Sequence, residues 1–174
     1  YTYDETNKHR LKSVTNDVVT QSMTYDVSGN VTGTTLKSNT ASFTKTLQTG
    51  AVYTSNNNLV GYVTDSANQK VTYTYNTPMS RMTGQATSVI DAKNNTTSMA
   101  YDDFGRISQK TFANKGSLAY TYTDGILSGV TRTDSAGKTQ SLAYAHDAFG
   151  NLTSVKVGEI LLASYQYAAK NGSL

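Results

Sequence analysis

Apolar and polar residues alternate in short runs along the chain, and stretches rich in Asp, Asn, Ser and Gly interrupt them. The clearest run, "VTYTY", places Val71, Tyr73 and Tyr75 on one face of an extended strand and Thr72 and Thr74 on the other. Turn-forming residues follow each such run, and a second alternating run opens at Leu11, Val31, Leu59, Met82, Ile107, Leu127, Leu152 or Leu174. Strand, tight turn and strand predict a β-hairpin. A second set of turns, "DSANQK", "DAKNNT", "ANKGS" and "DSAGK", joins one hairpin to the next. Helical periodicity is weak throughout. Its longest candidate, "EILLASYQYAAK" at 159–170, also fits a strand, because Tyr165 and Tyr167 fall on the recurring Tyr-x-Tyr pattern.

The runs repeat. Aligning them on an aromatic residue gives Tyr3, Tyr25, Tyr53, Tyr75, Tyr101, Tyr122, His146 and Tyr167, at spacings of 22, 28, 22, 26, 21, 24 and 21 residues. Irregular spacing suits stacked hairpins with variable loops and suits a helical solenoid badly. The expected architecture is therefore all-β: consecutive antiparallel hairpins forming a curved repeat sheet, with about eight degenerate units over residues 1–174. The sequence opens and closes inside a unit, which reads as an array taken from a longer protein whose terminal units fray or pair with another chain.

Composition changes the expected interior. Hydrophobic residues make up 37%, and thirteen Tyr stand against four Phe and no Trp. Tyrosine packs like other rings but needs a partner for its hydroxyl. A single proline, Pro78, and 16% charged residues argue against a disordered chain. The net charge is +3, with Lys and Arg scattered singly, so the clustered basic footprint of a nucleic-acid binder is missing. No apolar run is long enough for a membrane-spanning helix. The lack of Cys excludes disulfides and thiolate metal sites.

The chemistry concentrates in "YDVSGN", "YDDFGR" and "HDAFGN". Asp26, Asp102 and Asp147 each head a turn, where a carboxylate accepts the backbone N–H two residues on. Gly29, Gly105 and Gly150 supply the positive φ that closes a hairpin. Asn30, Arg106 and Asn151 follow, and then Val31, Ile107 or Leu152 re-enters the sheet opposite Tyr25, Tyr101 or His146. A calcium loop needs six or more oxygens, and "YDVSGN" offers one carboxylate. The sequons at Asn30 and Asn151 arise because the repeat puts Asn after the turn glycine and Thr on the next strand. His9 and His146 are the only histidines, and His146 stands where other units carry Tyr, so it reads as a structural aromatic. Asp102 and Asp103 are adjacent, which on a strand would send them to opposite faces and rules against a carboxylate pair. No nucleophile elbow or phosphate loop is present. No catalytic, cofactor or metal residues are assigned, and the chain reads as non-enzymatic. Tyr rows beside Asn and Thr leave open a carbohydrate-binding surface.

The Tyr-Asp-x-x-Gly-(Asn/Arg)-(aliphatic) elements at Tyr25 to Val31 and Tyr101 to Ile107, with the His146 to Leu152 variant and looser copies between, resemble the YD repeats of the RHS family. Such repeats occur in bacterial wall-associated and polymorphic-toxin proteins, in the B and C components of insecticidal toxin complexes and in teneurins. The resemblance implies a β-sheet that winds spirally into a hollow shell, encloses a C-terminal toxin or effector domain, and belongs to a large secreted or cell-surface protein, bacterial by these relatives. It also implies partners, the remaining repeats of the same protein and an enclosed toxin domain; the scattered charge adds no nucleic acid, and the lack of a long apolar run no membrane insertion. A surface adhesion or carbohydrate-binding role is the alternative. The family's self-cleaving Asp-Pro segment has no counterpart here, where Pro78 lies in "YNTPMSR".

Overall fold

The computed structural model describes residues 1–6, 9–41, 45–54, 59–76 and 84–168. These residues form fifteen β-strands and no helix. The chain divides into two compact units, Tyr1–Asn95 and Thr96–Leu174. The first contains β1 (Thr2–Tyr3), β2 (Leu11–Thr15), β3 (Val19–Tyr25), β4 (Val31–Ser38), β5 (Thr46–Tyr53), β6 (Val60–Thr64), β7 (Lys70–Tyr75) and β8 (Ala86–Ile90). The second contains β9 (Thr96–Tyr101), β10 (Ile107–Thr111), β11 (Ser117–Thr123), β12 (Ile126–Thr133), β13 (Thr139–His146), β14 (Leu152–Val157) and β15 (Ile160–Ser164). Within each unit every strand pairs antiparallel with the next in sequence, so the order in the sheet is the order in the chain.

The expected hairpins form. Second strands open at Leu11, Val31, Ile107 and Leu152 as read from sequence, while β6 opens at Val60 rather than Leu59 and β12 at Ile126 rather than Leu127. Met82, Leu174 and Pro78 lie outside the described residues. The segment read as strand or weak helix at 159–170 contributes β15.

The two sets of turns are one structure. At residues 26–30, 102–106 and 147–151 the first residue's N–H donates to the carbonyl of the fifth, and the fourth residue's N–H donates back to the carbonyl of the first. The connecting turns 65–69, 91–95, 112–116 and 134–138 repeat both bonds. The fourth residue has positive φ throughout: Gly29 at 95°, Gly105 at 82° and Gly150 at 84° in the first set, and Asn68 at 57°, Asn94 at 63°, Lys115 at 65° and Gly137 at 84° in the second. The difference between the sets lies one residue into the following strand. Tyr25 pairs with Val31 but Thr24 pairs with Gly33, so Thr32 is an extra residue. The same β-bulge recurs at Gly61, Thr87, Ser108, Ser128 and Thr153.

Each bulge shifts the alternation by one. Val31 and Thr34, Leu127 and Val130, and Leu152 and Val155 therefore share a face despite their three-residue spacing. That face carries the tyrosines: Val71, Tyr73 and Tyr75 in one unit, and Tyr120, Tyr122, Leu142 and Tyr144 in the other. The opposite face presents Thr24, Gly33, Gly50 and Thr64 in one cross-strand row, and Thr121, Gly129 and Ala143 in another. Among the described residues no hydrophobic side chain is fully buried. Each unit is a single amphipathic layer whose tyrosine face is half-buried by its own side chains.

Candidate functional site

The recurring motif is the one constellation repeated along the chain, and it is built from backbone upward. Asp102 Oδ1 accepts the N–H of Phe104 at 3.0 Å and of Arg106 at 2.9 Å, and Asp147 Oδ1 accepts those of Phe149 and Asn151, both at 2.9 Å. Asp26 Oδ1 accepts the N–H of Asn30 at 2.9 Å. The second carboxylate oxygen is used by the residue after the glycine. Asn30 Nδ2 donates to Asp26 Oδ2 at 2.9 Å, Asn151 Nδ2 to Asp147 Oδ2 at 3.0 Å, and Arg106 Nε to Asp102 Oδ2 at 2.7 Å. Asn30 and Asn151 thus have their amides engaged within the turn, which accounts for the sequons as turn chemistry. The turn at 91–95 uses the same lock, with Asn95 Nδ2 on Asp91 Oδ2 at 3.0 Å.

These bonds hold the carboxylates ionised. The side-chain bond from Asn30 is the largest influence on Asp26, and that from Asn151 the largest on Asp147; with the backbone N–H groups they outweigh burial and bring both below the ordinary value of 3.8. For Asp102 burial is the largest single influence and opposes ionisation. The Arg106 side chain, the N–H groups of Arg106 and Phe104, and the Arg106 charge together overcome it.

The aromatic position has a function that sequence reading missed. Tyr25 donates its hydroxyl to the Leu11 carbonyl at 2.7 Å, Tyr53 to Val31 at 3.1 Å, Tyr75 to Val60 at 2.8 Å, Tyr122 to Ile107 at 2.9 Å, and Tyr167 to Leu152 at 2.9 Å. Each acceptor is the residue that sits opposite the preceding unit's aromatic in the hairpin register. The tyrosine of one unit is therefore tied to the backbone of the unit before it. Burial, followed by the neighbouring Tyr73, pushes the Tyr75 phenol up, which keeps this donor protonated. Tyr3 and Tyr101 end β1 and β9 opposite Leu11 and Ile107. The signal was present in the sequence as a preference for Tyr over Phe at this position.

Arginine adds a second tie. The Arg106 guanidinium, paired with Asp102 at 2.7 Å, lies over the Phe104 ring at 5.0 Å and over the Tyr122 ring of the next unit at 4.1 Å. Arg10 lies over the next unit's Tyr25 at 5.8 Å and donates to the Asp26 carbonyl at 3.0 Å.

His146 interrupts the ladder. It pairs opposite Leu152 like the other aromatics, but the shorter imidazole makes no hydrogen bond among the described residues. An open cleft of about 480 Å³ lies beside it, lined by Asp124, Ile126, Tyr144, His146 and Phe149 among others. Asp102 and Asp103 occupy the turn that Asp102 was read to head, so the argument from opposite strand faces does not apply to them. Asp102 is locked by the bonds above, and Asp103 is exposed, so the two do not converge on one point. Among the described residues no group of three or more metal-ligating side chains comes together.

No family model matches the sequence, and no curated protein matches it. Solved structures do. A crystal structure of TcdB2-TccC3-Cdc42 is similar over 85% of this chain, with a TM-score of 0.67 and 14% identity. One of TcdB2-TccC3 is similar over 86%, also with a TM-score of 0.67 and 14% identity. This chain spans 8% and 9% of the length of those chains. The chain shares its fold with those structures: consecutive antiparallel strands in an RHS/YD-repeat-like sheet.

Proposed function

We propose that this chain is a non-catalytic length of wall in a β-shell that encloses a C-terminal toxin or effector domain of a large secreted or cell-surface protein. The observation that supports this reading best is the phenol-to-carbonyl ladder, in which five tyrosines tie their hairpin to the one before it, in a fold shared with TcdB2-TccC3. The polar side chains of the motif close turns and join neighbouring units, as a wall requires. The test is limited proteolysis of the complete native protein that contains this segment. A shell predicts a C-terminal region that resists protease until the repeats are denatured. A C-terminal region digested as fast in the native protein as in urea would overturn the reading.

The cleft beside His146 favours one second reading, a carbohydrate-binding surface. Exposed Phe149 offers a ring for stacking, and Asp124 and His146 offer polar contacts. Glycan-array binding by this chain that Phe149→Ala abolishes would support it, and an array without specific signal would dismiss it.

A further inference from the structure

In a meander, all odd-to-even turns lie on one rim of the sheet and all even-to-odd turns on the other. In Thr96–Leu174 this arrangement sorts charges that look scattered in sequence. The rim formed by the turns at 102–106, 124–125 and 147–151 holds Asp102, Asp103, Asp124 and Asp147 against Arg106, a formal balance of −3. The opposite rim, with turns at 112–116, 134–138 and 158–159, holds Lys110, Lys115, Arg132, Lys138 and Lys156 against Asp134 and Glu159, a balance of +3. Arg106–Asp102 is the one ion pair among the described residues of this unit, so the basic rim is not neutralised by the unit's own carboxylates. Each rim also exposes rings: Phe104 (84% exposed) and Phe149 (91%) on the acidic side, and Phe112 on the basic side.

We propose that the acidic rim of one copy of this chain docks on the basic rim of a second copy, head to tail. The two rims are opposite in sign, equal in balance and tipped with exposed rings, so the partner with complementary chemistry is the chain itself. The contact is heterologous, and it propagates into linear oligomers instead of closing at a dimer. Hairpin tips make a narrow interface in which exposed charges are screened by salt, so the association is weak and ionic-strength dependent.

Sedimentation velocity on the whole chain tests this, with a concentration series at about 0.01 M and about 1 M salt, between which the screening length falls from about 30 Å to about 3 Å. Concentration-dependent oligomers are expected at low salt and monomers at high salt. A K115E/R132E/K138E variant, with its β-signature verified by circular dichroism, should associate at least about tenfold more weakly at low salt. A D103K/D124K variant, whose acidic rim turns weakly basic, should also be impaired, and an equimolar mixture of the two variants should recover oligomers, because one then has two acidic rims and the other two basic ones. A wild-type chain that stays monomeric at low salt, association indifferent to salt, or a mixture that fails to recover would overturn the proposal. So would oligomers that survive both charge variants and vanish with Leu161→Lys, which would place the contact along strand β15.

Discussion

At the scale of single residues, the positive φ of Gly29 and the phenol ladder make separate demands. Gly29→Val forces a β-branched side chain into the left-handed region, and its Cβ would approach Arg10 Nη2 at 3.0 Å. It should lower stability by about 1–2 kcal/mol in urea unfolding. Tyr122→Phe removes one hydroxyl donor while keeping the ring under Arg106, and should cost about 0.5–1.5 kcal/mol. His146→Tyr should do the reverse. It returns a phenol to a position where the ladder is interrupted, beside a cleft with room for it, and should raise the urea midpoint; an unchanged or lower midpoint would show that His146 is held there for another purpose. The turn aspartates set the response to acid. Their folded pKa values lie below the ordinary 3.8, so their contribution is fully present above that value and is lost as the pH falls through the lower folded values. Urea midpoints should hold from pH 7 to about 5 and drop toward pH 3. An Asp26→Asn, Asp147→Asn double variant should start lower and fall less.

At the scale of hairpins, much of the element pattern was legible in the sequence. Alternation located Val71, Tyr73 and Tyr75 on one face, and turn chemistry put Gly29, Gly105 and Gly150 at positive φ, because both follow from local sterics. The bulges were not found, although their trace is visible as apolar residues three apart, such as Leu127 and Val130 or Leu152 and Val155. A strict period of two cannot represent a strand that changes phase. The second set of turns, separated in the sequence by its place between hairpins, carries Asn68, Asn94 and Lys115 at the left-handed position where the first set carries glycine. Asn adopts that conformation readily, whereas Lys115 does so at a cost. Lys115→Gly should therefore stabilise the chain by up to about 1 kcal/mol, measured by the shift in urea midpoint. The partner of the tyrosine hydroxyl could not be read from a single unit, because the acceptor belongs to the unit before it and depends on the stagger between them.

At the scale of the whole molecule, among the described residues of each unit every strand touches only its neighbours in sequence, and no hydrophobic side chain is fully buried. Damage should therefore stay local, as in other linear repeat arrays. In native-state hydrogen exchange, Gly150→Val should speed exchange in β13, β14 and the strands beside them and leave β2 to β4 unchanged; uniform acceleration over the chain would indicate one cooperative unit instead. The charge sorting on the two rims of Thr96–Leu174 also belongs to this scale. A scan for basic runs along the sequence cannot detect it, since Lys110, Arg132 and Lys156 are neighbours only once the chain has folded back on itself.

The ladder has one more consequence. Its donor is a side chain, but its acceptor is a main-chain carbonyl, a group every amino acid possesses. A unit that brings its own tyrosine can therefore follow almost any other unit without a matching residue in its neighbour. Such a connector works like a standard thread: units can be duplicated, lost or exchanged along the array while the join stays the same.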